Sequence, residues 1–396
     1  MADLKSRVKS SRLPTSMEGS NFDYGFNTKT MQKLLTYWST KYDWRKWEKE
    51  LNKYPMFKTQ IEGLDIHFVH IKPSKPAKET KALMLVHGWP SSFYDFYDMI
   101  PNLTTDPEIS YEVIIPSLPG FAFSEASHRP GLDAIHAARI LGKLMERLNH
   151  KHYLYHGEDW GSIIGKAFAV LYPDRLIGIH LSLPTAKFTI YSGLKILFGF
   201  ITPGVVYDYP EHDLKRVHPV ADKFYSLIRE MGYFHMQATK PDTIGIALAD
   251  SPAGLASYIL DRWLYYTDPE SYATKPDAGL TDKFTMDQLL TNVMIYWFSN
   301  SITSSMRFYK ESGSYNFLFK LNFEKVVIRE WMPVGIGIGP KEPLAMPHAL
   351  LREVFYNVTV FNNYDKGGHF IAFEEPKMVA DDIRNFDRLI KTKRLY

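Results

Sequence analysis

Gly157-Glu158-Asp159-Trp160-Gly161 has the glycine spacing of a strand–turn–helix elbow that presents a nucleophile, with aspartate where serine is usual. The apolar stretch His152–Tyr155 comes before it and a helix-compatible run, Ser162–Leu171, follows. The flanking glycines suit a sharp turn whose nucleophile is strained, because bulk on either side would clash. A carboxylate attacking a carbonyl would form a labile anhydride. At a saturated carbon it forms an ordinary ester that water can hydrolyse. The motif therefore indicates opening of an epoxide or displacement of an alkyl halide rather than cleavage of an ester or peptide.

Such an elbow takes its partners in the chain order nucleophile, acid, histidine. The histidine is expected in a loop after the last strand, and Lys366-Gly367-Gly368-His369-Phe370 follows the apolar run Asn357–Phe361. His369 is thus the expected general base. The acid is expected after the preceding strand, Val326–Trp331, where the loop Gly335–Glu342 offers Glu342 to hold the imidazole and stabilise its cation. Asp365 and Glu330 are its rivals: the first is too near His369 in sequence, the second lies inside the expected strand. Developing negative charge needs two backbone donors. Trp160, which follows the nucleophile, supplies one. Trp89 of His87-Gly88-Trp89-Pro90, after the expected strand Leu83–Val86, supplies the other.

These residues need a sheet to carry them. Phe57–Ile61 and Asp65–Ile71 around Gly63 read as a hairpin. Leu83–Val86, Val113–Ile115, His152–Tyr155 and Leu176–Leu183 are short apolar runs of the kind buried parallel strands show, and helical stretches Phe93–Ile100 and Leu132–Leu148 lie between them. Alternation of this kind predicts an α/β fold, a mostly parallel sheet flanked by helices. From about Thr185 to Thr285 the strand pattern stops, and helical pieces (Leu214–Met231, Ala253–Tyr266) are broken by prolines. The expected organisation is an N-terminal arm at 1–54 with a helix over Thr30–Asn52, a core of 55–184 and 286–396 ending in a helix from Pro376 to Leu389, and an inserted helical cap at 185–285. Tyr37, Trp38, Trp44 and Trp47 of the arm are expected to pack onto the main domain.

Composition narrows the function further. A formal charge of +3 over 396 residues, without a basic block, argues against nucleic acid as a partner. The absence of cysteine excludes disulfides, thiolate metal sites and a cysteine nucleophile. No cofactor and no metal are called for by the expected chemistry. Fifty Tyr and Phe residues, 25 of each, suit an aromatic-lined cavity for an apolar substrate as well as a packed core. Met1–Arg12 lacks the apolar centre of a signal peptide. The most membrane-like run, Ile190–Val206, contains Lys195 and Pro203 and is shorter than the ~20 apolar residues of a span. It is expected to be a buried or cavity-lining lid segment in preference to a surface resting on lipid. The chain as given is expected to be soluble and cytoplasmic, with peripheral membrane contact the alternative for that segment.

His87-Gly-Trp-Pro90, Pro116-Ser-Leu-Pro-Gly-Phe121, Gly157–Ser162 and Gly367-Gly-His-Phe-Ile-Ala-Phe-Glu-Glu-Pro376 resemble the epoxide hydrolases of the α/β-hydrolase fold. Arg12-Leu-Pro14, Tyr54-Pro-Met-Phe57 and Gln237-Ala-Thr-Lys-Pro-Asp-Thr243 narrow the resemblance to the microsomal branch, which includes insect juvenile hormone epoxide hydrolases. The similarity extends over nearly the whole chain. It implies that Asp159 opens the epoxide, that Glu342 is the acid, and that two tyrosines hydrogen-bond the ring oxygen: Tyr233 in Gly232-Tyr-Phe-His-Met-Gln237 and Tyr309 in Arg307-Phe-Tyr-Lys-Glu311. Phenols suit this role. A departing alkoxide has a conjugate-acid pKa of roughly 16, near that of water, whereas a phenol at about 10 donates readily and stays neutral at pH 7. Members of the branch usually carry an N-terminal membrane helix, and none precedes the arm in this sequence. The implied substrates are a lipophilic epoxide and water. A haloalkane dehalogenase shares the elbow and is the alternative, with Trp160 as a halide donor. A non-catalytic carrier of apolar ligands is the remote one.

Overall fold

The computed structural model describes residues 1–186, 189–314, 323 and 326–394. Its strands are β1 (Met56–Ile61), β2 (Leu64–Ile71), β3 (Glu79–Val86), β4 (Ile109–Pro116), β5 (Tyr153–Gly157), β6 (Leu176–Leu181), β7 (Val334–Ile338) and β8 (Val358–Asn363). They form one sheet in the order β1-β2-β4-β3-β5-β6-β7-β8. β1, β2 and β4 pair antiparallel, and every pair from β4 through β3 to β8 is parallel. This is the mostly parallel sheet expected from the alternating runs, in the α/β-hydrolase fold that the resemblance implied. The central strands are mostly apolar because both faces are covered: every residue of β5 and of β7 is buried. Helix Ala134–Arg147 packs on Trp160–Leu171, and the last helix, Pro376–Arg394, packs on β6, β7 and β8.

Four expectations change. Val326–Trp331 is not a strand; Ile328 makes only an isolated bridge to Phe355. The strand is Val334–Ile338, whose alternating glycines read as a loop in sequence. Those glycines are demanded by packing: a Cβ on Gly335 would lie 2.6 Å from the His180 ring, and one on Gly337 would overlap the Tyr364 hydroxyl. The arm helix expected over Thr30–Asn52 is two helices, Thr28–Thr40 and Trp44–Leu51, because the Asp43 carboxylate caps a new start by accepting from the amides of Arg45 and Lys46. The helical insertion continues past Thr285, with Met286–Ser299 and Ile302–Ser312 preceding β7.

The fourth change is the largest. Ile190–Val206, expected to be buried, is turned outward, with Ile190 88% and Val205 86% exposed. Within helix Ile190–Ile201 the buried residues are Ser192 and Gly199. By contrast the arm packs inward as expected. Trp38 and Trp44 are buried, Tyr37 donates to Asp287 at 2.7 Å, and the Tyr42 hydroxyl meets Thr291 Oγ1 at 3.0 Å. Among the described residues no single helix is long and apolar enough to cross a membrane.

Candidate active site

β5 ends at Gly157 and the next helix begins at Trp160, which leaves two residues to reverse the chain. Asp159 occupies the bend at φ 48° and ψ −122°. An L-residue held there is strained by on the order of 1–3 kcal/mol, and the surrounding bonds must hold it. Glu158 N–H donates to Val86 O at 3.1 Å, Gly161 N–H to Glu158 O at 2.7 Å, and Ser162 Oγ to Gly157 O at 2.7 Å. A Cβ on Gly161 would overlap the Val86 carbonyl, and one on Gly88 would overlap the Asp159 carboxylate. Both glycines are therefore required by close approach.

His369 and Glu342 reach the bend from the two neighbouring loops. Glu342 follows β7 by four residues and His369 follows β8 by six, and β6, β7 and β8 are laid parallel beside β5. Glu342 Oε2 lies 2.6 Å from His369 Nδ1, and His369 Nε2 lies 3.3 Å from Asp159 Oδ2. The rivals Asp365 and Glu330 are exposed. Burial by itself would depress the His369 imidazolium. The charge of Glu342 and the hydrogen bonds to Asp159 and Glu342 outweigh it and hold the pKa well above its ordinary value. The Asp159 side chain keeps 16% of its surface open while that of His369 keeps 3%, so an incoming molecule reaches the carboxylate first.

Trp89 N–H donates to Asp159 Oδ1 at 2.8 Å. Trp160 opens its helix, where a first-turn amide has no acceptor within the helix. Tyr233 stacks on Trp89 with ring centroids 5.3 Å apart and planes at 10°. Tyr309 stands edge-on to Trp160 at 4.8 Å, and the two tyrosine rings are 6.1 Å apart. Both phenols are pushed well above their ordinary pKa, chiefly by burial, with the Asp159 charge adding to it. They remain protonated donors. The other six residues expected from sequence therefore gather around the Asp159 carboxylate, Glu342 through His369.

Three further groups belong to the surroundings and were not anticipated. The Tyr266 hydroxyl lies 3.1 Å from that of Tyr233, and its ring lies 4.8 Å from the His369 imidazole. Glu374 accepts from the amides on either side of His369, Gly368 at 2.9 Å and Phe370 at 3.1 Å, and burial pushes it up to about 7. Glu158 accepts from Ala372 N–H at 2.9 Å and ties the elbow to the short helix after His369. Glu158 and Glu374 stood inside quoted motifs, so their positions were visible. Tyr266 offered no signal beyond being one of 25 tyrosines.

Comparison with known proteins agrees with this fold. Residues 1–96 match the epoxide hydrolase N-terminus family and residues 81–218 the alpha/beta hydrolase fold family. The chain is 43% identical to epoxide hydrolase 1 of Sus scrofa over 98% of its own length and 86% of the relative's. It is 42% identical to juvenile hormone epoxide hydrolase 1 of Ctenocephalides felis over 100% and 84%. The crystal structure of juvenile hormone epoxide hydrolase from the silkworm Bombyx mori superposes with a TM-score of 0.94 at 39% identity, covering 99% of this chain and 92% of that one. An aspartate elbow on this sheet, with relatives this similar over nearly the full length, places the chain in the epoxide hydrolase family of the α/β-hydrolase fold.

Proposed function

We propose that the protein converts lipophilic epoxides and water to vicinal diols through an ester on Asp159, with each site residue acting as follows. The observation that carries this is the division of labour on one carboxylate: Oδ1 is held by the Trp89 amide, and Oδ2 faces His369 Nε2 at 3.3 Å. Oδ2 displaces the epoxide oxygen from carbon while Tyr233 and Tyr309 donate to that oxygen. The ester no longer carries the Asp159 charge that helped hold a proton on His369, so the imidazolium gives up its proton, balancing the one the alkoxide gains as it becomes the glycol hydroxyl, and neutral His369 is left to act as base. Oriented by Glu342, His369 takes a proton from water, which attacks Cγ. The oxyanion develops on Oδ1, facing the amides of Trp89 and Trp160. Collapse of the intermediate returns Asp159 and frees the diol.

A halide leaves as a weak base and needs no acid, so two phenols at Asp159 favour an epoxide over an alkyl halide. A carrier would not need Asp159, Glu342 and His369 in contact. The relatives named above are similarly identical to the chain, which supports lipophilic epoxides as a class. Diol formation from styrene oxide, a fatty-acid epoxide and a juvenile hormone tests the reading. The Tyr233→Phe, Tyr309→Phe double variant should lower the rate of Asp159 alkylation by roughly 100-fold or more. An unchanged alkylation rate, or halide release from a chlorinated alkane with no diol from any of the three, would overturn it.

We also propose that the outward apolar helices rest on a lipid surface. Helix Val220–Glu230 leaves Val220, Phe224, Leu227 and Ile228 exposed and buries only Glu230. Helix Ile190–Ile201 likewise leaves Leu194, Leu197, Phe198 and Phe200 exposed, and exposed apolar helices of this kind lie in a bilayer interface. Residues 189–231 hold five Lys and Arg against five Asp and Glu, so the contact should be apolar and little affected by salt. The protein is expected to float with phosphatidylcholine vesicles, and the Phe198→Asp, Phe224→Asp double variant to stay behind. Equal flotation of the two would refute this contact.

A further inference from the structure

The far end of the sheet carries a second cluster that the reaction does not use. His70 sits near the end of β2, Glu112 lies on β4, and His150 lies in the turn before β5. His70 Nε2 is 2.6 Å from Glu112 Oε1, and His150 Nε2 is 3.7 Å from the same oxygen. All three donor atoms lie within 4.8 Å of one another. His150 Nε2 is enclosed and makes no hydrogen bond. An enclosed ring nitrogen without a partner is costly unless something fills its place.

We propose that His70, Glu112 and His150 form a binding site for a divalent cation of the zinc class. Two imidazoles and a carboxylate are the donor set that zinc takes in an open site, with solvent completing a tetrahedron. Bonds of about 2.1 Å place tetrahedral donors about 3.4 Å apart. The His150–Glu112 separation is already close to this. The His70–Glu112 separation must widen by several tenths of an ångström as the metal replaces the shared proton. β2 and β4 are hydrogen-bonded neighbours with His70 opposite Ile114, two residues from Glu112, so two ligands project from one rigid surface. The turn at His150 is fixed by its amide bonding to Met145 O at 2.9 Å. A bound ion would tie the antiparallel edge of the sheet to the turn between helix Ala134–Arg147 and β5. It lies toward the amino ends of the parallel strands, whereas Asp159 lies at their carboxyl ends, so it would act as a structural clasp without a part in epoxide opening.

The test uses the full chain, stripped with chelator and titrated with zinc chloride by calorimetry, with retained metal counted after gel filtration and the melting temperature read with and without zinc. Wild type should retain one zinc per chain and melt higher with it. Glu112→Gln and the His70→Ala, His150→Ala double variant should bind roughly tenfold more weakly or worse and lose the melting shift, while diol formation without zinc stays at the wild-type rate. Zinc retention that is absent in wild type, or equal in wild type and Glu112→Gln, would overturn the site. Because Glu112→Gln preserves shape, a folding defect in the double variant does not spare the proposal.

Discussion

Asp159→Ala should abolish diol formation, a loss of about 10⁵-fold or more, because no other group near the epoxide can form the ester. The same residue gives a sharper reading in wild type. In a single turnover in heavy-oxygen water with enzyme in excess, Oδ2 leaves with the diol and a solvent oxygen enters the Asp159 carboxyl. The first diol should therefore be unlabelled, and the peptide holding Asp159 should gain the label, detected by mass spectrometry. Label in the first diol with none in the peptide would mean direct attack by water, and the ester mechanism would be wrong.

His369→Gln should separate the two halves of the reaction. Asp159 and the two phenols remain, so one equivalent of substrate is expected to alkylate the enzyme in a burst. Hydrolysis should then slow by roughly 10⁴-fold, the scale of losing a positioned general base. Rapid quench followed by intact-mass measurement would show the trapped ester, and steady turnover at the wild-type rate would refute the assignment. The variant also tests the electrostatics. In the folded protein the His369 pKa stands well above its ordinary 6.5 because Glu342 and Asp159 outweigh the cost of burial. A group raised in this way stabilises the fold fully below pH 6.5 and loses that contribution as pH rises through its folded value. The stability difference between wild type and His369→Gln should therefore shrink as pH is raised above neutrality. A difference that grew with pH would mean that His369 is not held as the cation between these carboxylates.

Much of the site was legible because the fold orders it along the chain. Gly157–Gly161 declares its turn through glycines that close backbone approach demands, and His369 follows the last strand after two more glycines. Glu342 was reached by way of the wrong strand. The neighbouring strand is Val334–Ile338, and its glycines signal turns when read locally, yet they exist because Phe386, His180 and Tyr364 leave no room for side chains. The tyrosines followed from family resemblance rather than from spacing. Tyr266 was not legible, since its place beside Tyr233 and His369 depends on how one helix of the insertion crosses the loop after β8.

The amino-acid sequence by itself determined the nucleophile, the order of its partners and the parallel sheet, because a sharp turn and two-sided burial leave their marks in adjacent residues. Only the tertiary structure decided which way the apolar helices of the insertion face. Amphipathic spacing shows that a helix has an apolar side, but not whether protein or something else lies against it. It also decided that His70, Glu112 and His150 meet. They come from three segments some 40 residues apart, and the pairing of β2 with β4 together with the turn before β5 brings their donor atoms within 4.8 Å.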